Sequence, residues 1–217
     1  MALSCSTARQ ESPPAVPTLK ASRVAEDFVP DGNVSKRAWR NAKPVRMELE
    51  SKTSIARPEL STTVRALWSE QFLYLAFECP FTKLTVFEPV QTKERFGLWE
   101  RDVVEAFIAS DTNDVKHYTE YEVSPTNERL DVKIPEKDFV WSSGFESATR
   151  VDEKAKRWTA EMRIPVSALG KTPTAGAPWR INLYRCDYAN KAFLASHPTL
   201  TGSFHVPERF GILQFTY

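Results

Sequence analysis

Leu98-Trp99-Glu100-Arg101-Asp102-Val103-Val104-Glu105-Ala106-Phe107-Ile108 sets a large flat aromatic beside a charged corner. A strand follows, with one carboxylate, Glu105, among apolar neighbours. Taking a charge out of water is unfavourable unless something compensates it, so a carboxylate in a strand of this kind asks for a partner or a ligand. An aromatic at the strand's mouth with a polar group just inside is an arrangement that can hold a ring with one apolar face and a hydroxylated rim.

Outward from this stretch the chain reads as strands. Thr62 to Trp68 alternates with period two, Ser69-Glu70-Gln71 supplies a turn, and Phe72 to Cys79 runs back as the second arm of a hairpin. Val103 to Ala109, His117 to Val123 and Arg129 to Ile134 read as further strands, the last two joined across Thr126-Asn127-Glu128. Phe145 to Val151 pairs with Arg157 to Ile164 around a polar turn, and Trp179 to Tyr188 and Gly211 to Tyr217 complete the set. Pro165 to Gly170, with proline at its start and glycine at its stop, and Asn33 to Ala42 supply one or two short helical turns. The pattern predicts an all-β fold, a single antiparallel β-sandwich of about ten strands. Residues 1–20, rich in Ser, Thr, Gln and Pro, read as a flexible tail, and residues 21–217 as one folded domain.

Composition sets bounds. The 217 residues are 41% hydrophobic and 12% aromatic, enough for one substantial core. Lys and Arg number 29 against 28 Asp and Glu, so the basic excess of a nucleic-acid binder is missing. No apolar run approaches the roughly 18 residues of a membrane-spanning helix. Cys5 follows Ala2-Leu3-Ser4, as at the end of a bacterial lipoprotein signal, but without the charged and apolar regions that precede one. Two readings of Cys5 stand open: lipidation on an exported, periplasmic or cell-surface protein, and an incidental cysteine on a cytoplasmic one. Strand parity puts Cys79 with Leu73, Leu75 and Phe77, and Cys186 with Asn182 and Tyr184, which argues against a disulfide.

Five segments, in order, resemble a family 9 carbohydrate-binding module, a β-sandwich of the wider DOMON-like group known from xylan-degrading enzymes. They are Asp31-Gly32 with Ala38-Trp39; Val64 to Phe77 with Leu73-Tyr74; Trp99 to Ile108; Trp158 to Pro165; and Pro198-Thr199, Phe204 and Pro207 to Gly211. The resemblance covers about residue 28 to 217. It implies a sugar clamped between two aromatics, with polar side chains bonding its hydroxyls. Trp99 falls on the first clamp position and Phe204 on the second, where the family has tryptophan. Glu105 falls on a sugar-bonding glutamate. Glu122 stands where an arginine is expected, Tyr184 where a glutamine is, and Thr201 where an asparagine is. The scaffold therefore carries over better than the ligand.

Glu120 and Glu122 lie two apart on one strand and share a face, with Glu105 facing the same way from a neighbouring strand. Three carboxylates so close repel one another unless a cation intervenes, and Arg101, Arg185 and Arg209 are the candidates. A solvated sheet face is the plainer reading for Glu120. His205, next to Phe204, sits at the site's rim. Trp39, Trp68 and Trp158 read as packing. The expectation is a non-catalytic carbohydrate-binding domain for capture or breakdown of polysaccharide, xylan included, with a separate glycoside hydrolase as partner. It needs no cofactor, although the resemblance leaves room for a structural calcium. The alternatives are a haem-binding redox module, with Met47 and His117 as axial ligands, and a glycan hydrolase using paired carboxylates. His117, His197 and His205 have no metal-ligand spacing.

Overall fold

Alternation with period two, interrupted by turn residues, produces thirteen strands among the described residues of the computed structural model, which are 18–92 and 94–217. In chain order they are β1 Leu19–Arg23, β2 Val45–Met47, β3 Leu49–Glu50, β4 Thr62–Trp68, β5 Phe72–Pro80, β6 Val103–Ala109, β7 Tyr118–Val123, β8 Arg129–Ile134, β9 Glu146–Asp152, β10 Arg157–Pro165, β11 Pro178–Asp187, β12 Ala192–Ala195 and β13 Gly211–Thr216. The helical content is five 3-10 turns, among them Arg37–Asn41 and Val166–Ala168, at the two places where short turns were expected.

The strands lie in the order β8-β7-β6-β11-β13-β1-β4-β5-β10-β9. Two antiparallel sheets, β8-β7-β6-β11-β13 and β4-β5-β10-β9, meet at β1, which runs parallel to both β13 and β4. The sandwich is therefore antiparallel except at this seam. The main core fills the space between the sheets. Val104, Ala106, Ile108, Tyr121 and Val123 meet Leu73, Leu75, Phe77, Trp158, Ala160 and Met162 there. Trp68 and Trp158 pack in this core and Trp39 in a second one.

Turn chemistry fixes register. The Ser69 hydroxyl accepts the amides of Gln71 (3.1 Å) and Phe72 (3.0 Å), closing the β4–β5 hairpin. Asn127 takes a left-handed conformation (φ 62°) between β7 and β8, and the Glu128 amide donates to Ser124 Oγ at 3.1 Å. The strands β1, β2, β3 and β12 escaped the sequence reading because two to five residues are too few to show a period. β1 starts at Leu19, inside the stretch read as tail, so the sheet reaches further toward the N-terminus than expected. The lipidation expected at Cys5 falls outside the described residues. Cys79 and Cys186 are both buried and free, on opposite faces as parity required.

Candidate ligand-binding site

The outer face of β6, β7 and β11 does not face water. Loops fold over it and enclose an open cavity of about 1010 Å³. Its floor is Glu105, Phe107 and Glu120. Its walls include Trp99, Phe96, Phe139, Phe193, Phe204 and His205.

Trp99 sits in the 3-10 turn Leu98–Glu100, which follows Gly97 in a left-handed conformation (φ 81°). Leu98 is buried and anchors the turn. The Tyr188 hydroxyl donates to the Trp99 carbonyl at 2.9 Å, and Phe96 meets the indole edge-on with ring centres 5.1 Å apart. Just beyond, the Asp102 carboxylate accepts the amides of Thr85 and Tyr188 at 2.9 Å each. Burial pushes Asp102 up to about 6. The charged corner of the opening stretch thus pins two loops and leaves Trp99 facing the cavity.

Phe204 is held by Tyr184. The two rings stack with centres 4.1 Å apart at 9°, and the Tyr184 hydroxyl donates to the Phe204 carbonyl at 2.7 Å. Asn182 Nδ2 donates in turn to that hydroxyl at 2.7 Å. Thr201 Oγ1 donates to the Ser203 carbonyl (3.0 Å) and accepts the Ser203 amide (3.1 Å), shaping the loop ahead of Phe204. His205 stacks on Phe107 and its Nδ1 meets the Tyr118 hydroxyl at 2.7 Å. Burial, with Lys137 second, holds this imidazole below its usual value.

The three glutamates come together as strand parity required. Glu105 stands opposite Glu122 on β7 and opposite Tyr184 on β11, and Glu120 is two residues from Glu122. Their exposures are 1%, 6% and 0% for Glu105, Glu120 and Glu122. Cys186 Sγ approaches Glu105 Oε1 at 3.5 Å, and neither oxygen of Glu122 has a hydrogen-bond partner among the described residues. Burial raises all three carboxyls. Repulsion from Glu120 adds to it at Glu105, and repulsion from both neighbours adds to it at Glu122. Glu120 reaches about 7.

Several expectations need correction. Glu120 is not on a solvated face, because the loops carrying Trp99, Phe139 and Phe204 cover it. Glu122 and Tyr184 are not at the cavity surface. Glu122 lies sealed beneath it, and the Tyr184 hydroxyl is taken up by the Phe204 carbonyl, so Tyr184 holds Phe204 in place. Arg185 points to the opposite face. It bonds Asp187 (2.7 Å), Leu60, Thr62 and Pro80, and cannot serve the carboxylates. Its odd position beside Tyr184 on one strand decides this. Arg101 lies over Phe87, and Arg209 is exposed in the turn Pro207–Arg209, so neither serves them.

The haem alternative finds no shared pocket. Met47 is buried in the core between the sheets, while exposed His117 bonds Asp114 at 2.7 Å. Among the described residues no group of three or more His, Cys, Asp or Glu side chains is set to hold a metal ion. Sequence reasoning missed Phe96, Phe139, Phe193 and Lys137. Phe96 and Phe139 carried a signal, being large apolar residues in polar loops, and Phe96 remains 68% exposed.

A two-layer β-sandwich with an aromatic-walled cavity on the outer face of one sheet, floored by acceptor groups, is a ligand-binding sandwich. The chain belongs to the family described as carbohydrate family 9 binding domain-like, whose model matches residues 29–216. A protein of the fungus Arthroderma benhamiae named Extracellular protein is 28% identical over 179 residues, covering 73% of this chain and 80% of its own. Among solved structures, a Bacteroides uniformis protein proposed to bind carbohydrate is similar at 17% identity and TM-score 0.72, over 91% of this chain and 98% of that one. A family 9 module from Caldicellulosiruptor kristjanssonii in complex with cellotriose is similar at 18% identity and TM-score 0.69, over 92% and 94%. A family 9 module from the same organism in complex with glucose is similar at 17% identity and TM-score 0.65, over 91% and 95%.

Proposed function

We propose that this domain binds carbohydrate without chemically altering it, in the cavity between Trp99 and Phe204. One observation carries the reading. Aromatic walls stand over a floor whose carboxylates, Glu105 and Glu120, form no ion pair within the described protein. The apolar face of a pyranose packs on aromatic faces, and its hydroxyls donate to carboxyl oxygens, which accept in either protonation state. Family membership and the sugar complexes of the Caldicellulosiruptor modules support it. A hydrolase pair must flank the scissile bond. Glu105 and Glu120 instead rise from adjacent strands of one floor, which favours binding over cleavage. The role that fits is capture of polysaccharide, xylan among the candidates, by an exported protein working beside a separate hydrolase. The extracellular name of the fungal relative supports export.

The test is a titration with mono- and oligosaccharides followed by tryptophan fluorescence, with Trp99→Ala as control. Saturable change that weakens at least tenfold in the variant, or about 1.4 kcal/mol, is expected. Silence across the panel in a folded sample would sink the sugar-binding reading.

A further inference from the structure

Building on the sugar-binding reading, we infer that the cavity selects a pyranose bearing a free ammonium group, an amino sugar in preference to its neutral counterpart. Among the described residues, the floor gathers three buried carboxylates that lack strong donors from the rest of the chain. Other buried carboxylates have them, Asp131 keeping one from the Ser143 amide. Glu161 accepts the amides of Asp31 and Gly32, the Trp39 indole and the Lys36 ammonium. Glu128 takes Arg95 at 2.7 Å, Asp187 takes Arg185, and Asp102 takes two backbone amides. Glu120 and Glu122 have no hydrogen-bonding partner but each other, and Glu105 meets only the weak thiol donor of Cys186. Buried acceptors are almost always bonded in native proteins, so exceptions call for a reason.

The chain's own cations do not supply one. None of the ion pairs among the described residues involves these three glutamates. Arg57, at the cavity wall, is bound to Glu50 and Glu59. Lys52, Lys137 and Lys191 line the wall without pairing to the floor, and His205 Nδ1 is taken up by the Tyr118 hydroxyl. An ammonium has three donors and no acceptor, which is the complement of clustered carboxylates. Trp99, Phe96 and Phe204 line the cavity with aromatic rings, over whose faces a cation is favoured. A hydroxyl can donate one hydrogen bond but brings no charge to favour ionisation of the clustered carboxyls. Because the carboxyls are raised, a bound ammonium favours their ionised forms and drives proton release, so amine binding is expected to tighten as pH rises.

The experiment is calorimetric titration of the full chain with glucosamine and chitosan oligosaccharides, against glucose, N-acetylglucosamine and cello-oligosaccharides. The amine is expected to bind at least tenfold more tightly than its acetylated form. Binding heat should change between buffers of different ionisation enthalpy, reporting proton release. Glu120→Gln, checked for folding by its thermal transition, is expected to bring the amine-to-acetyl ratio toward one. Neutral sugars binding as tightly as amines would overturn the selectivity and leave sugar binding intact. A folded protein that binds no sugar of either kind would overturn both.

Discussion

Glu120 shows what the floor does to a single residue. Its carboxyl is pushed by burial from an ordinary 4.5 to about 7. Across that window the folded chain holds a proton that the unfolded chain has released, so Glu120's contribution to stability is full below about 4.5 and is lost as pH rises through 7. The slope is at most about 1.4 kcal/mol per pH unit for one proton. His197, held by burial at about 4, acts in the opposite sense, adding stability as pH rises from 4 toward its ordinary 6.5. The comparison with Glu120→Gln isolates the glutamate. The variant is expected to gain stability relative to the parent chain as pH climbs from 4.5 to 7 in denaturant titrations. A constant difference across that range would contradict the raised, buried carboxyl. Glu105 was legible in the sequence because one carboxylate interrupts an apolar strand. The burial of Glu120 and Glu122 was not, since alternation tells which residues share a face and says nothing of the loops that later cover it.

Elements, in turn, determine how firmly the clamp is held. Tyr184 on β11 stacks beneath Phe204 and donates to its carbonyl, so the second aromatic wall is set by a strand and not by its own loop. Tyr184→Phe keeps the stack and removes the bond. Sugar affinity is expected to weaken about threefold to tenfold, with a stability loss of about 1 kcal/mol, read by the same fluorescence titration and by thermal unfolding. On the other sheet, Glu161 of β10 gathers Asp31, Gly32, Lys36 and Trp39, fastening the segment that leads into the turn Arg37–Asn41. Removing one partner of a buried, bonded charge leaves the others unsatisfied. Glu161→Ala is therefore expected to cost about 3–5 kcal/mol in chemical denaturation, with no direct effect on the cavity, which lies on the opposite sheet. The long strands β4 to β11 were readable because each carries two or more full alternations between turn residues. The loops bearing Phe96 and Phe139 have no period at all, and only their unusual exposure of large apolar groups distinguishes them.

At the scale of the whole molecule, the two sheets are joined edge to edge only through β1 among the described residues. Ala21 pairs with Phe215 of β13 and with Ala66 of β4, and it is fully buried. Five residues thus convert two antiparallel sheets into one continuous ladder, and their parallel register could not be inferred from a segment too short to display a pattern. A proline at Ala21 removes an amide from a strand bonded on both sides, a substitution that central strands do not accommodate. Ala21→Pro is expected to destabilise the fold by about 3 kcal/mol or more, lowering the denaturation midpoint. Affinity for sugar, measured well below that midpoint, should stay within about twofold, a change of only about 0.4 kcal/mol, because β6 and β7 supply the cavity's floor and no residue of β1 lines it. Parallel loss of both would show that the seam shapes the site as well as supporting it. Retained affinity with lost stability would place binding in one sheet and its loops, with the second sheet and the seam serving as the support on which that surface is built.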